Sequence, residues 1–283
     1  MMSSLRRFVY LVTGDQRRRT YLLRRIDTSR CFLPRPARRD CDRLLTDTPP
    51  PLEEARLPAS TMKFDPHNGY VGLYSMDFML FAGGDDRRNR VFAADGLGRA
   101  LLYDPKSPSV RAMPGLTALE FQAASITVGD DVYVLATSRT RSNEKRHCFK
   151  AFVYDDDEWS RHPLPPPPFV VNQPRGPDEL GCSVGSYAVA GGSSIWVSEF
   201  GTHGTYSFDT ASRAWTWAKA GESSLPFRGQ GHHVPELGGV WVGLSSLDGH
   251  VDGIVCRRTS PAAGSCGRTR RRRGGGRRII AGR

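Results

Sequence analysis

An aromatic residue followed by aspartate recurs in this chain at a near-constant interval, as Tyr103-Asp104, Tyr154-Asp155 and Phe208-Asp209. Asp104 and Asp155 stand 51 residues apart, and Asp155 and Asp209 stand 54. Each pair closes a strand-like run and opens a turn. A self-similar period near fifty built on strands is the length of one small antiparallel sheet, used repeatedly. Such a chain is expected to fold all-β, as a propeller whose sheets are arranged radially about a shared axis. This constrains architecture more than function, because a propeller is a scaffold that does not name its ligand.

Three repeats are readable, over about 62–114, 120–165 and 181–226, with a partial fourth over 229–256. The third is the most regular. Tyr187-Ala188-Val189-Ala190 leads into Gly191-Gly192, then come Ile195-Trp196-Val197, Phe208-Asp209, and Trp215 six residues after the aspartate. A glycine pair suits a strand end where no side chain fits and where positive φ is needed. The aspartate can accept from the backbone two residues on and fix a turn between the outer strands. The tryptophan supplies a large apolar body for packing one sheet on the next. The first repeat keeps Gly83, Gly84, Tyr103 and Asp104 but has Val110 at the tryptophan position. The second keeps Tyr154 and Asp155, lacks the glycine pair, and brings Trp159 only four residues after the aspartate. Three full units and end pieces are few for a closed ring, which leaves its closure open. Before the repeats, Phe8–Val12 and Thr20–Ile26 read as a hairpin turning at Gly14-Asp15, and 34–60 as loop and linker.

This order of strand, glycine pair, strand, aromatic-Asp and tryptophan resembles a kelch repeat. Over about 5–256 the chain also resembles an uncharacterised, grass-expanded plant family of kelch-like proteins, through Arg6-Arg7-Phe8-Val9-Tyr10-Leu11-Val12, Leu22-Leu23-Arg24-Arg25-Ile26-Asp27 and Leu101-Leu102-Tyr103-Asp104-Pro105. The resemblance implies a propeller-like fold and no established activity, and it supplies no catalytic residues. Kelch-like plant proteins often carry an F-box, and no F-box-like segment stands in residues 1–60.

Charge is divided sharply along the chain. The formal net charge of +11 comes from the ends: +8 over residues 1–43 and +10 over 257–283. Residues 44–256 hold 18 basic and 25 acidic residues, a net of −7. The pI of 9.7 therefore gives no reason to expect a basic face on the folded body. The six cysteines form no CxxC pair, which argues against a zinc site or a disulfide framework. No apolar run approaches membrane-spanning length, and the apolar stretch Phe8–Val12 is too short for a secretory leader. An intracellular compartment, cytoplasmic or nuclear, is expected, with no membrane partner.

Other motifs read as structure before chemistry. Gly181-Cys182-Ser183-Val184-Gly185 has the spacing of a hydrolase nucleophile elbow, but it precedes a strand where that motif needs a helix. His232 and His233, adjacent on a strand, point to opposite faces. Asp155 to Glu158 places four carboxylates in one tight turn, a geometry that splays them apart. Pro163-Leu164-Pro165-Pro166-Pro167-Pro168 reads as the link between two repeats, with docking to a proline-recognising groove as the alternative. Arg270, Arg271, Arg272 and Arg273, followed by Arg277 and Arg278, lie in an Arg/Gly-rich tail expected to be disordered, one that can bind phosphate backbones but lacks the aromatics that stack on bases. The expectation is a monomeric, non-enzymatic interaction scaffold with an unidentified protein partner and no cofactor. Nucleic-acid association through the tail, or an enzyme of the propeller type, are the alternatives.

Overall fold

The computed structural model describes residues 8–30, 56–66, 76–81, 89–95, 97–116, 123–136, 148–155, 158–171, 184–199, 204–212, 215–235, 239–245 and 253–256. Strands dominate these residues. The helical pieces among them are short: a 3-10 turn at Thr28–Arg30, the four-residue helix α1 at Pro168–Val171 and a 3-10 residue at Pro235. Among the described residues no helix is long and apolar enough to cross a membrane.

An N-terminal sheet is built from β1 (Phe8–Asp15), β2 (Thr20–Asp27) and β3 (Met62–Phe64). Gly14 and Asp15 are paired within this hairpin, opposite Tyr21 and Thr20, so the turn falls on residues 16–19, beyond the position expected from the glycine. Asp15 Oδ1 accepts from the Arg17 and Arg18 amides and fixes that turn. Met62–Phe64 pairs with β2, so the first repeated sheet starts at Met76 where the spacing had placed it from about 62.

Three four-stranded meanders follow. The first blade is β4 (Met76–Phe81), β5 (Arg90–Asp95), β6 (Ala100–Asp104) and β7 (Ser109–Met113). The second is β8 (Ala123–Val128), β9 (Asp131–Ala136), β10 (Phe149–Asp155) and β11 (Glu158–Pro163). The third is β12 (Val184–Ala190), β13 (Ser194–Glu199), β14 (Thr205–Asp209) and β15 (Trp217–Gly221). A three-stranded fourth unit comprises β16 (Phe227–Val234), β17 (Val240–Ser245) and β18 (Gly253–Cys256). The molecule is an all-β, propeller-like stack of antiparallel sheets.

Strand periodicity assigns each side chain to one neighbour or the other. On β5, Val91 and Ala93 face the N-terminal sheet, while Phe92 and Ala94 face the second blade. On β9, Val132 and Val134 face back to the first blade, while Tyr133 and Leu135 face forward to the third. Covered on both faces, these strands read as nearly unbroken apolar runs. Four clusters of buried residues thus fill the successive interfaces. The proline-rich link closes the base of the interface between the second and third blades, with Leu164, Phe169 and Val170 buried there.

Inner strands of successive blades run in the same direction, because each meander returns the chain from its outer edge to the axis. The Ser125 hydroxyl on β8 donates to the Leu80 carbonyl on β4 at 3.5 Å. Between the third and fourth units this approach becomes a parallel ladder, with Ser186 opposite Gly229, Tyr187 opposite Gln230 and Ala188 opposite Gly231. The glycines make the ladder and its backing possible. Gly229 adopts φ +69, and the Phe227 ring folds back over its own sheet into space left by Gly231 and Gly243. A Cβ on Gly243 would lie 2.6 Å from Phe227 Cβ, the unmovable root of that side chain. Gly243→Ala should therefore destabilise the protein by about 1–3 kcal/mol, the usual cost of overpacking. Urea unfolding followed by fluorescence measures it, and an unchanged midpoint would show that the Phe227 ring is not seated there.

Candidate functional site

The aromatic-Asp pairs occupy one structural position. Asp104, Asp155 and Asp209 end β6, β10 and β14, the third strand of each blade. Asp104 Oδ1 accepts from Lys106 N at 2.8 Å, and Asp209 Oδ1 from Ala211 N at 3.0 Å, so both cap the turn as their chemistry suggests. Asp155 stands opposite Glu158 at the corresponding turn. The aromatic before each aspartate packs backward, onto the preceding sheet. Tyr103 is buried against the N-terminal sheet, with its hydroxyl donating to Thr61 O. The Tyr154 ring lies 5.9 Å below the Arg90 guanidinium of the first blade. Phe208 packs edge-on against Phe149 of the second blade at 5.0 Å.

Cross-strand register, unlike residue counting, identifies the packing position opposite these aromatics. Tyr103 faces Val110, Tyr154 faces Trp159, and Phe208 faces Trp217. Trp159 packs on Phe81 of the first blade at 5.6 Å. Trp217 packs on Phe149 and Phe208 at 5.4 and 5.1 Å and donates from Nε1 to Pro165 O at 2.8 Å. Trp215, which spacing from Asp209 selects, sits before β15 at φ +46, half-buried and packed against the core between the second and third blades. Gly191 and Gly192 do take positive φ, +60 and +79, but a Cβ on either would meet nothing within 4 Å, so conformation and not crowding calls for them. Gly83 and Gly84, Ser183, and Arg270, Arg271, Arg272, Arg273, Arg277 and Arg278 lie outside the described residues.

The turns cluster at one end of the stack, and there the groove between the second and third blades has a polar mouth. Tyr133 on β9, Ala151 on β10 and His162 on β11 are register partners and share the face toward the third blade. Asp131 and Ser160 lie one step nearer the turns on that face, by strand alternation. His162 Nε2 is 2.9 Å from Ser160 Oγ, and its ring is 6.2 Å from that of Trp215. The Tyr133 hydroxyl bonds Thr210, whose own hydroxyl donates to Ser193 O at 2.6 Å. Below this mouth, Phe149, Phe208 and Trp217 form an aromatic floor.

Electrostatics single out Asp131. Burial pushes its carboxyl above the ordinary range, the adjacent Asp130 charge adds to the rise, and His162 opposes it. Burial raises the Tyr133 phenol, the Asp131 charge raises it further, and the Thr210 hydrogen bond opposes. Sequence reasoning missed this group because its members, 29 residues apart between Tyr133 and His162, meet only through register. Asp131, His162 and Ser160 resemble hydrolase components by type, and among the described residues no hydrogen bond joins His162 to Asp131. The described residues hold no group of three or more His, Cys, Asp or Glu that could bind a metal ion.

These features define an all-β, propeller-like protein with a polar mouth between its second and third blades. The chain belongs to the family of proteins of unknown function DUF1668, which matches residues 6–272. No curated protein matches it. Among solved structures, it is similar to the extracellular domain of a one-component system, BT4673 of B. thetaiotaomicron, at 11% identity and TM-score 0.39, covering 84% of this chain and 24% of that one. It is also similar to the β-propeller domain of Myceliophteria thermophila Cps50 (Swd1), at 11% identity and TM-score 0.36, covering 61% of this chain and 49% of that one. The chain thus spans between about a quarter and a half of the length of these structures.

Two outcomes follow. Trp217→Ala should cost about 3 kcal/mol, measured by chemical unfolding, since it removes the contacts to Phe149 and Phe208 and the hydrogen bond to Pro165 O. A change near zero would contradict the register assignment. Asp131 binds its proton more tightly folded than unfolded, so its contribution to stability declines as pH rises from the ordinary carboxylate range through its raised value. Asp131→Asn, which keeps the shape without the charge, should melt higher than the wild type at neutral pH, and the gap should close on acidification below the ordinary range. A lower melting temperature at neutral pH would mean that the ionised carboxylate is stabilised.

Proposed function

We propose that the protein is a non-enzymatic, kelch-like interaction scaffold that binds a protein partner on the face where its aspartate-capped turns gather. The supporting observation is the division of labour within the first and third repeats. One residue of the aromatic-Asp pair locks the blade to its predecessor, and the other rigidifies the turn that the face displays. Rigid turns on a locked stack lose little conformational entropy on binding, which favours recognition by a preorganised surface. A monomeric, intracellular chain of the plant kelch-like type fits this reading.

A second reading is favoured by the composition of residues 257–283, which hold ten arginines and no acid. Such a segment suits polyanion binding, with affinity that falls steeply with salt. The two readings separate in one experiment. The full-length chain and a variant carrying Arg270→Gln, Arg271→Gln, Arg272→Gln and Arg273→Gln are immobilised, exposed to extract of the native cells, and washed at low and high salt. The scaffold reading expects the same proteins on both forms at high salt. Recovery of nucleic acid alone, lost with the arginines and with salt, would replace it by the polyanion reading.

A further inference from the structure

The internal repeat allows the interblade grooves to be compared position by position. The second strands β5, β9 and β13 begin with Arg90, Asp131 and Ser194 respectively. In the groove between the first and second blades, Arg90 Nε lies 3.6 Å from Asp104 Oδ2, and the same guanidinium lies over the Tyr154 ring. That mouth is filled by a cation of the chain's own, held between a carboxylate and an aromatic face. In the groove between the second and third blades, the corresponding residue is an anion. The titratable groups acting on Asp131 are Asp130 and His162, and no Lys or Arg among the described residues pairs with it. An aromatic face is still present. Trp217 stands opposite Phe208, and Trp215, half-buried against the same core, lies beside His162 just before β15 at positive φ.

We infer that this second mouth receives an arginine side chain from a protein partner, with Asp131 as its counter-ion and Trp215 as the face on which the guanidinium lies. The arrangement repeats in trans what Arg90, Asp104 and Tyr154 do in cis. A planar guanidinium suits it better than an ammonium, because it can donate to the carboxylate while stacking on the indole. Asp131 is held half-buried with its charged form disfavoured, and an incoming cation would relieve that cost. The net charge of −7 over residues 44–256 favours approach of a basic segment. The inference rests on the scaffold reading and names the chemistry of its partner.

The test is an NMR titration of the full-length protein with the capped tripeptide acetyl-Gly-Arg-Gly-amide, following the indole ¹H–¹⁵N resonances, with Trp215→Phe assigning the Trp215 signal. The expected result is a saturable shift of that signal, absent with the glutamine analogue. Affinity should fall about tenfold or more in Asp131→Asn, the loss of a charge-assisted contact. The variant Glu222→Gln, at an exposed carboxylate paired with Lys219, should change it by less than about twofold. Circular dichroism establishes that each variant is folded. An equal shift in Asp131→Asn, an equal shift with the glutamine peptide, or no saturable shift with the arginine peptide would each overturn the assignment. Asp131→Asn is also compared with the wild type in the immobilised-chain experiment. Undiminished capture of the same proteins would remove the arginine mouth and leave the scaffold standing, whereas failure of the wild type to hold any protein would remove the scaffold itself.

Discussion

A four-stranded sheet that is apolar on both faces has to be covered twice. Phe92 and Ala94 on one side of β5, and Val91 and Ala93 on the other, leave the first blade no exposed side on which to end. The same holds for β9 in the second blade and, through Ile195 and Trp196, for β13 in the third. Each sheet therefore recruits a neighbour, and the stack grows in chain order. Hydrophobic burial supplies the drive, at about 25 cal/mol for each Å² removed from water, and strand alternation decides which neighbour receives which side chain. Exposed polar side chains line the outer strand β7 and cap the turns, and among the buried ones Ser198 and Thr205 hydrogen-bond each other.

Much of this was legible beforehand because it is local. A strand-ending aspartate caps its turn with its own side chain, so Asp104 and Asp209 do what their chemistry predicts wherever the rest of the chain goes. Gly191-Gly192 likewise announces positive φ. Whatever depends on pairing was harder to see. In the third blade Trp215 and Trp217 both pack on the core, and only register shows that Trp217 is the one opposite Phe208, two residues beyond the Trp215 that counting from Asp209 selects. Three residues from Met62 look like the start of a blade, yet they pair with β2, because the hairpin before them presents a free edge. The polar mouth was invisible for the same reason. Asp131, Ser160 and His162 are remote in sequence and meet only through the ladders that join β9, β10 and β11.

Repeats are informative where they disagree. Positions that serve packing hold the same kind of residue in each blade, as Tyr103, Tyr154 and Phe208 do. The first residue of the second strand does not: it is a cation, an anion and a hydroxyl in successive blades. No packing demand explains a half-buried carboxylate where the preceding blade has a paired arginine, and it lowers the stability of the fold that holds it. Features that cost stability without serving the core are where recognition is most readily sought.

The glycine-bordered ladder between β12 and β16 has its own implication. Two strands joined by hydrogen bonds stand about 5 Å apart, too close for a solute to pass between them. The third and fourth units are thereby welded into one continuous sheet along these residues, and no molecule can lodge between them there.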